Sequence, residues 1–177
     1  MIITISGFHG TGKSTIAKLL ADKLGILYYS TGQAFRDLAK ESNMSLEEYT
    51  RFVEKHPDVD KNLDNKVVEM AKKDSIIIDS QLSGHILKSI ANFKIQLTCS
   101  LEERVKRMAA RDKTSYGEKL EETTIREKSE LERFKKLYNI DLSDKESTVE
   151  FFDLIIDTEH LTIEEIVDKI LTELDEI

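Results

Sequence analysis

The sequence has no tryptophan, one proline and one cysteine, and each scarcity closes off a class of protein. A lone Cys99 can form neither an intramolecular disulfide nor a CxxC metal motif, so the fold must rest on a packed core, as suits a reducing compartment. The thiol itself reads as a small apolar filler at a strand end. One proline and seven glycines in 177 residues are too few for a flexible linker, a collagenous repeat or a low-complexity tract. No apolar run approaches the roughly 20 residues of a membrane-spanning helix. The stretch Met1-Ile2-Ile3-Thr4-Ile5 lacks the basic leader and apolar region of a signal peptide. Positive charge is short as well: the formal net charge is -8. That opposes general affinity for nucleic acid or an anionic membrane, either of which needs a basic face. A cytoplasmic monomer is expected, with no nucleic-acid or membrane partner.

What is present is an ordinary globular composition, 40% hydrophobic and 34% charged, in a length suited to one hydrophobic core. Five short β-rich segments alternate with longer helix-patterned stretches: Ile2 to Ser6, Ile26 to Tyr29, Ser75 to Asp79, Phe93 to Thr98 and Phe151 to Ile156. The alternation predicts an α/β fold, a five-stranded parallel sheet flanked by helices. Ser45 with Glu48, Ser100 with Glu103, and Thr162 with Glu165 have the spacing of capping boxes and mark three helix starts. The stretch between the second and third segments is about three times what one crossover helix needs. It reads as a helix, a break near Pro57, and a helix through Met70, so an insert is expected over about residues 30–74. A second excess, Leu101 to Asn139, is helical and charged, with Gly117 its only glycine.

Straight after the first β-rich segment stands Gly7-Phe8-His9-Gly10-Thr11-Gly12-Lys13-Ser14, which satisfies G-x-x-x-x-G-K-[ST] and opens an Ala- and Leu-rich helix starting near Lys13. Gly7, Gly10 and Gly12 let the backbone turn its amides inward, and the helix adds the positive end of its dipole, a combination suited to phosphate. Residues Gly7 through Thr15 are therefore expected to hold a nucleoside triphosphate, with Lys13 on the β- and γ-phosphates and Ser14 on Mg²⁺. His9 occupies a variable position of the motif and is expected to face solvent. Asp79, closing the third segment, either holds a water of the Mg²⁺ shell or makes an ordinary strand-end turn.

Lysines outnumber arginines 19 to 7, yet five arginines, Arg104, Arg107, Arg111, Arg126 and Arg133, fall within thirty residues. Arg104, Arg107 and Arg111 are spaced for one helix face and Arg126 and Arg133 lie two turns apart, so both sets could address one anion. Guanidinium suits phosphate because its planar fork donates parallel hydrogen bonds and keeps its charge when water is excluded. The alternative is a solvated helix whose arginines pair with Glu103 and Glu122, and Arg104 is expected to follow that pattern. In Ser30-Thr31-Gly32-Gln33-Ala34-Phe35-Arg36, Arg36 falls in the first turns of a helix just past the second strand, where open α/β sheets bind ligands.

With these residues in place the chain resembles the archaeal-type cytidylate kinases of the nucleoside monophosphate kinase family through nearly its whole length. The likeness rests on Ser30-x-Gly32-x-x-Phe35-Arg36, on Leu82-Ser83-Gly84, and on Thr124-Ile125-Arg126-Glu127 through Arg133-Phe134 to Tyr138-Asn139-Ile140-Asp141-Leu142. It implies transfer of the ATP γ-phosphoryl group to CMP, with dCMP and UMP as further acceptors and Mg²⁺ held at Ser14 and Asp79. The insert would bind the acceptor and residues 104–139 would form a lid. Ser30, Gly32, Arg36, Gln81, Gly84 and Glu130 would line the acceptor site, Glu130 towards the ribose or base. Lys13, Arg107, Arg111, Arg126 and Arg133 would gather round the phosphoryl groups. Where the family pattern reads Gly-Arg before Leu-Ser-Gly this chain has Ser80-Gln81, which leaves the acceptor site one positive charge short. Two other functions share the loop: a small-molecule kinase for adenylate or a non-nucleotide acceptor, and a nucleotide-binding regulator without transfer activity.

Overall fold

The computed structural model describes residues 1–142 and 149–176. Its centre is a five-stranded sheet in the order β2-β3-β1-β4-β5. The strands are β1 (Ile2–Ser6), β2 (Leu27–Ser30), β3 (Ile76–Asp79), β4 (Phe93–Thr98) and β5 (Leu154–Asp157), and all four pairings are parallel. Parallel strands must be covered on both faces. In β1, accordingly, Ile3 and Ile5 are fully buried on one face and Thr4 and Ser6 on the other.

One face is closed by α1 (Lys13–Leu24) and by the last helix, α8 (Ile163–Asp175). Ile16 and Leu20 of α1 and Ile166, Val167 and Ile170 of α8 pack with Ile3, Ile5, Ile95 and Leu97 in the largest core cluster. On the other face, Val67 and Ala71 of α4 (Asp58–Ala71) meet Ile76, Ile78 and Leu87, the last just past the short α5 (Ser83–Ile86).

The long stretch between β2 and β3 folds as α2 (Thr31–Glu41), α3 (Leu46–Lys55) and α4, with the break at Pro57 where the sequence predicts it. Phe35, Ala39, Tyr49, Val53 and Leu63 give these helices a small core of their own. The charged stretch is α6 (Leu101–Asp112) followed by the 23-residue α7 (Tyr116–Tyr138).

Two local expectations differ from what forms. β5 begins at Leu154, later than Phe151, because the Phe151 ring stacks on His85 with centroids 4.3 Å apart and Phe152 packs edge-on to both. At α6, Ser100 caps the Glu103 amide, but the Glu103 carboxylate takes Arg107 and does not complete the box. A box that the sequence reading missed, Ser115 with Glu118, starts α7 and makes the third that forms, with Ser45 and Thr162.

Successive connections leave β1 and β3 in opposite directions. A crevice therefore opens at their carboxyl ends, the place where open α/β sheets take ligands, and the loop after β1 and the turn after β3 meet there.

Candidate active site

The loop after β1 is shaped by backbone that only glycine tolerates well. Gly7, Gly10 and Gly12 have φ of 147°, 81° and 90°. A methyl group on Gly7 would stand 2.5 Å from the Leu97 carbonyl oxygen, and one on Gly10 2.7 Å from that of Arg104. Gly12 caps α1 without a side-chain bond, and no acidic residue occupies the first turn, so the helix's leading amides and its positive dipole end are left for an anion. Lys13 Nζ donates to the Phe8 carbonyl oxygen at 2.8 Å, folding the side chain over its own loop. Burial brings its ammonium down to about 8, against the pull of Asp79 and Glu130. Thr11 Oγ1 also donates to Phe8 O, and Thr158 Oγ1 braces the loop by donating to Thr11 O.

Beside the loop lies a cavity whose wall includes Lys13, Ser14, Ser30, Gly32, Arg36, Asp79, Gln81, Arg126, Glu130 and Arg133. The sequence expectations at these positions therefore converge in space. Ser30 caps α2 through the Gln33 amide, which sets Arg36 over the crevice. Arg36 donates to Gln33 Oε1 at 3.0 Å. Burial, then repulsion from Arg126 and Arg111, holds its guanidinium below the ordinary arginine value. Asp79 is buried and accepts the Tyr28 hydroxyl at 2.5 Å, while burial and that bond push the Tyr28 phenol up to about 12. A second cavity on the outer side of the loop is walled by His9 through Ile16, with Arg107, Arg111, Arg126 and Thr158.

A knot of side chains closes the crevice between the two cavities. The Glu130 carboxylate receives His9 Nε2 at 2.7 Å, Gln81 Nε2 at 2.6 Å and Arg126 Nε at 3.0 Å. Burial alone would push its carboxyl up, but these three partners hold it well below the usual carboxylate range. Burial, with Arg126 and Lys13 adding to it, lowers His9 against the pull of Glu130. His9 is thus packed under α7 and does not face solvent as its position in the motif suggests.

Several other side chains are engaged by partners that the sequence did not indicate. Arg104 is no solvated helix residue: it is 5% exposed, ion-paired to Glu127, and donates to the His9 carbonyl oxygen at 2.9 Å. Arg107 reaches the outer cavity, but its guanidinium donates to the carbonyl oxygens of Thr158 and Glu159 at 2.8 and 3.2 Å, besides pairing with Glu103. Arg111 pairs with Asp112, and Arg126 with Glu130 instead of Glu122. Arg133 sits 2.8 Å from Asp60 on α4, away from the loop. Gly84 faces away from the cavity; its amide donates to Ser6 Oγ and an added methyl would stand 2.7 Å from the Phe152 ring. Phe8 lies over Arg104, 5.3 Å from ring centre to guanidinium, and contributes its carbonyl to the loop. Asp60 and Asp64 line the inner cavity unforeseen, their four-residue spacing the available signal, and so does Tyr138, which the likeness included without a role.

Two cations on the inner cavity, Lys13 and Arg36, have no ion-pair partner among the described residues. Four carboxylates, Asp60, Asp64, Asp79 and Glu130, share the cavity with four cations, and Lys13 and Arg36 are the two of these cations left outside any ion pair among the described residues, beside a glycine-built anion loop.

Comparison with known proteins agrees with this geometry. The solved structure of an uncharacterized protein from Eubacterium ventriosum superposes with a TM-score of 0.73 at 18% identity, covering 100% of this chain and 99% of that one. Shikimate kinase from Aquifex aeolicus does so at 0.59 and 20% identity, covering 99% and 97%; both show the fold. Cytidylate kinase of Ignicoccus hospitalis is 40% identical over 169 residues, 96% of each chain. That of Methanococcus vannielii is 39% identical over 161 residues, 89% of this chain and 90% of its own. The family model described as "Cytidylate kinase-like family" matches residues 2–160, and the chain belongs to that family.

Proposed function

We propose that the protein transfers the γ-phosphoryl group of ATP to CMP, with dCMP and UMP as further acceptors. The observation that carries this reading is the pair of unpartnered cations, Lys13 and Arg36, on one cavity beside the phosphate loop. A donor phosphate and an acceptor phosphate meeting there would give each of these cations an ion partner. The relatives' name supplies the acceptor class.

The chemistry asks for no protein nucleophile. An oxygen of the acceptor phosphate attacks the γ-phosphorus in line, and the chain positions both and compensates charge. Lys13 would leave the Phe8 carbonyl for the transferring group, and Arg36 would hold the acceptor phosphate. Arg126 would join them as α6 and α7 close as a lid over the insert α2 to α4. Arg111, whose neighbour Asp112 is exposed enough to release it, would serve on the donor side.

Mg²⁺ shared with nucleotide phosphates needs only one or two protein oxygens. Ser14 Oγ and the Asp79 carboxylate, one of whose oxygens Tyr28 leaves free, are the candidates on the cavity wall. When bound, the ion would draw charge from the β- and γ-phosphates.

The test is a coupled phosphotransfer assay with ATP and each of CMP, dCMP, UMP, AMP and GMP. Turnover greatest with CMP is expected. Turnover confined to a purine monophosphate, or none with any, would overturn the assignment.

A further inference from the structure

The elbow between α6 and α7 holds a cation that the chemistry above leaves unused. α6 ends at Asp112, Lys113 turns the chain with a φ of 56°, and Ser115 caps α7. Four residues past that cap, Lys119 is turned inward and is 6% exposed. An ammonium stays buried only where carboxylates answer it. Its Nζ lies 2.9 Å from Asp112 Oδ2 and 2.5 Å from Glu122 Oε2, so it ties the last residue of one helix to the opening turns of the next.

Asp112 is shared. Arg111 forks onto the same carboxylate, Nε to Oδ1 at 2.7 Å and Nη2 to Oδ2 at 3.0 Å, so Oδ2 takes a guanidinium and an ammonium at once. The bond to Arg111 first, then against burial the bond to Lys119, brings the Asp112 carboxyl down to about 2. The two cations are held unlike. The Arg111 side chain is 68% exposed on the outer cavity and has room to swing, while Lys119 is walled in. Breaking an ion pair costs most when it strands the other charge without a partner. If Arg111 left for a phosphate oxygen and Lys119 were absent, Asp112 would stand as a bare negative charge on the wall of a site holding a triphosphate.

We propose that Asp112 is a parking place for Arg111 and that Lys119 is a positioning residue, the standing counter-ion that lets Arg111 leave for the donor's phosphates. With Lys119 in place the Asp112 carboxylate is answered whether Arg111 is parked or released, so the move strands no charge. Without it, Asp112 keeps Arg111. The inference rests on the phosphotransfer reading above, in which Arg111 serves the donor, and names the residues that set how readily it does so. Lys119 is accordingly no phosphate ligand, since two carboxylates already take up its ammonium.

The experiment is titration calorimetry with Mg²⁺ and ATP on wild type, Lys119→Met, Asp112→Asn and the double variant, with the coupled assay alongside. Lys119→Met leaves Asp112 to Arg111 alone and should weaken ATP binding by about fivefold, the scale of one well-formed ion pair, with the KM for CMP unchanged. Asp112→Asn frees Arg111 and should tighten ATP binding severalfold. In the double variant the effect of Lys119→Met should vanish, since no carboxylate remains to hold Arg111. Lys119→Arg, which keeps the counter-ion, should bind ATP as wild type does. A loosened elbow, or a Lys119 that meets the phosphates directly, would weaken binding equally with and without Asp112; that additive outcome would overturn this inference and leave the kinase reading standing. Should Lys119→Met fail to fold, the exposed pair decides: Asp112→Asn should tighten ATP binding in wild type and not in Arg111→Ala, and tightening in both would overturn the inference. A wild type that binds no ATP would overturn both this inference and the reading beneath it.

Discussion

At the scale of single residues, the site divides into groups that await charge and groups already satisfied. Lys13 awaits it, held to a backbone carbonyl that a phosphate can replace. Lys13→Ala should leave a folded enzyme with transfer slower by about three orders of magnitude, the scale of losing one phosphate-stabilising charge; a variant within tenfold of wild type would refute the loop's role. Gln81 is half satisfied: its amide donates to Glu130, while its Oε1 is buried without a partner among the described residues. An arginine at that position would pair with Glu130 and release Arg126 towards the acceptor. Gln81→Arg should therefore lower the KM for CMP by about tenfold, the difference between a neutral and a charge-assisted contact, and less so at high salt. An unchanged KM would show that the exchange of partners does not reach the acceptor. The loop was legible because its glycines, lysine and serine act through local spacing. His9 was not, because the group that buries it, Glu130, lies 121 positions away. Asp60 and Asp64 were lost among 34 acidic residues, whose ordinary place is a solvated surface.

At the scale of elements, α7 is the member that spans the site. It carries Arg126, Glu130, Arg133 and Tyr138 along one face and touches α4 through Arg133 with Asp60 and Tyr138 with Asp64. Arg36, Arg111 and Arg126 repel one another across an empty crevice, and phosphates turn that repulsion into attraction. Amide hydrogen exchange over residues 116–138 should slow when ATP and CMP are both present, as a closing lid requires. No change with both ligands would remove the lid and leave the loop chemistry intact. The sequence marks this stretch as helical and finds the Ser100 start of α6, but the cap at Ser115 that separates α7 from it went unread. Their partners are another matter: Arg104 meets Glu127 across two helices, a pairing that only the packed structure brings about.

At the scale of the whole molecule, the buried carboxyls set an acid response of mixed sign. Burial raises Asp64 from the ordinary 3.8 to about 6, so the folded state takes up its proton before the unfolded chain does. Stability from this group grows as pH falls through about 6 and is complete below the unfolded value. Glu130, held low, contributes the opposite: its stabilisation is present above the unfolded carboxyl value of about 4.3 and is lost as pH falls further. Thermal melts of the ligand-free protein should show the difference between wild type and Asp64→Asn widening in favour of wild type from pH 7 to 5. A constant difference would mean that Asp64 titrates normally.

The position of His9 has a further consequence. Its carbonyl oxygen receives Arg104 of α6 while its ring is fastened to Glu130 of α7, so the phosphate loop is strapped to α6, which walls the outer cavity, and to α7, which walls both. Under the proposed function, whatever a triphosphate did to that loop would be felt by the second substrate. The reverse must hold by an equal factor, since a coupling free energy has no direction. Occupancy of either half of the enzyme is thereby a signal to the other, and an enzyme holding one nucleotide is already a different binding partner for the next.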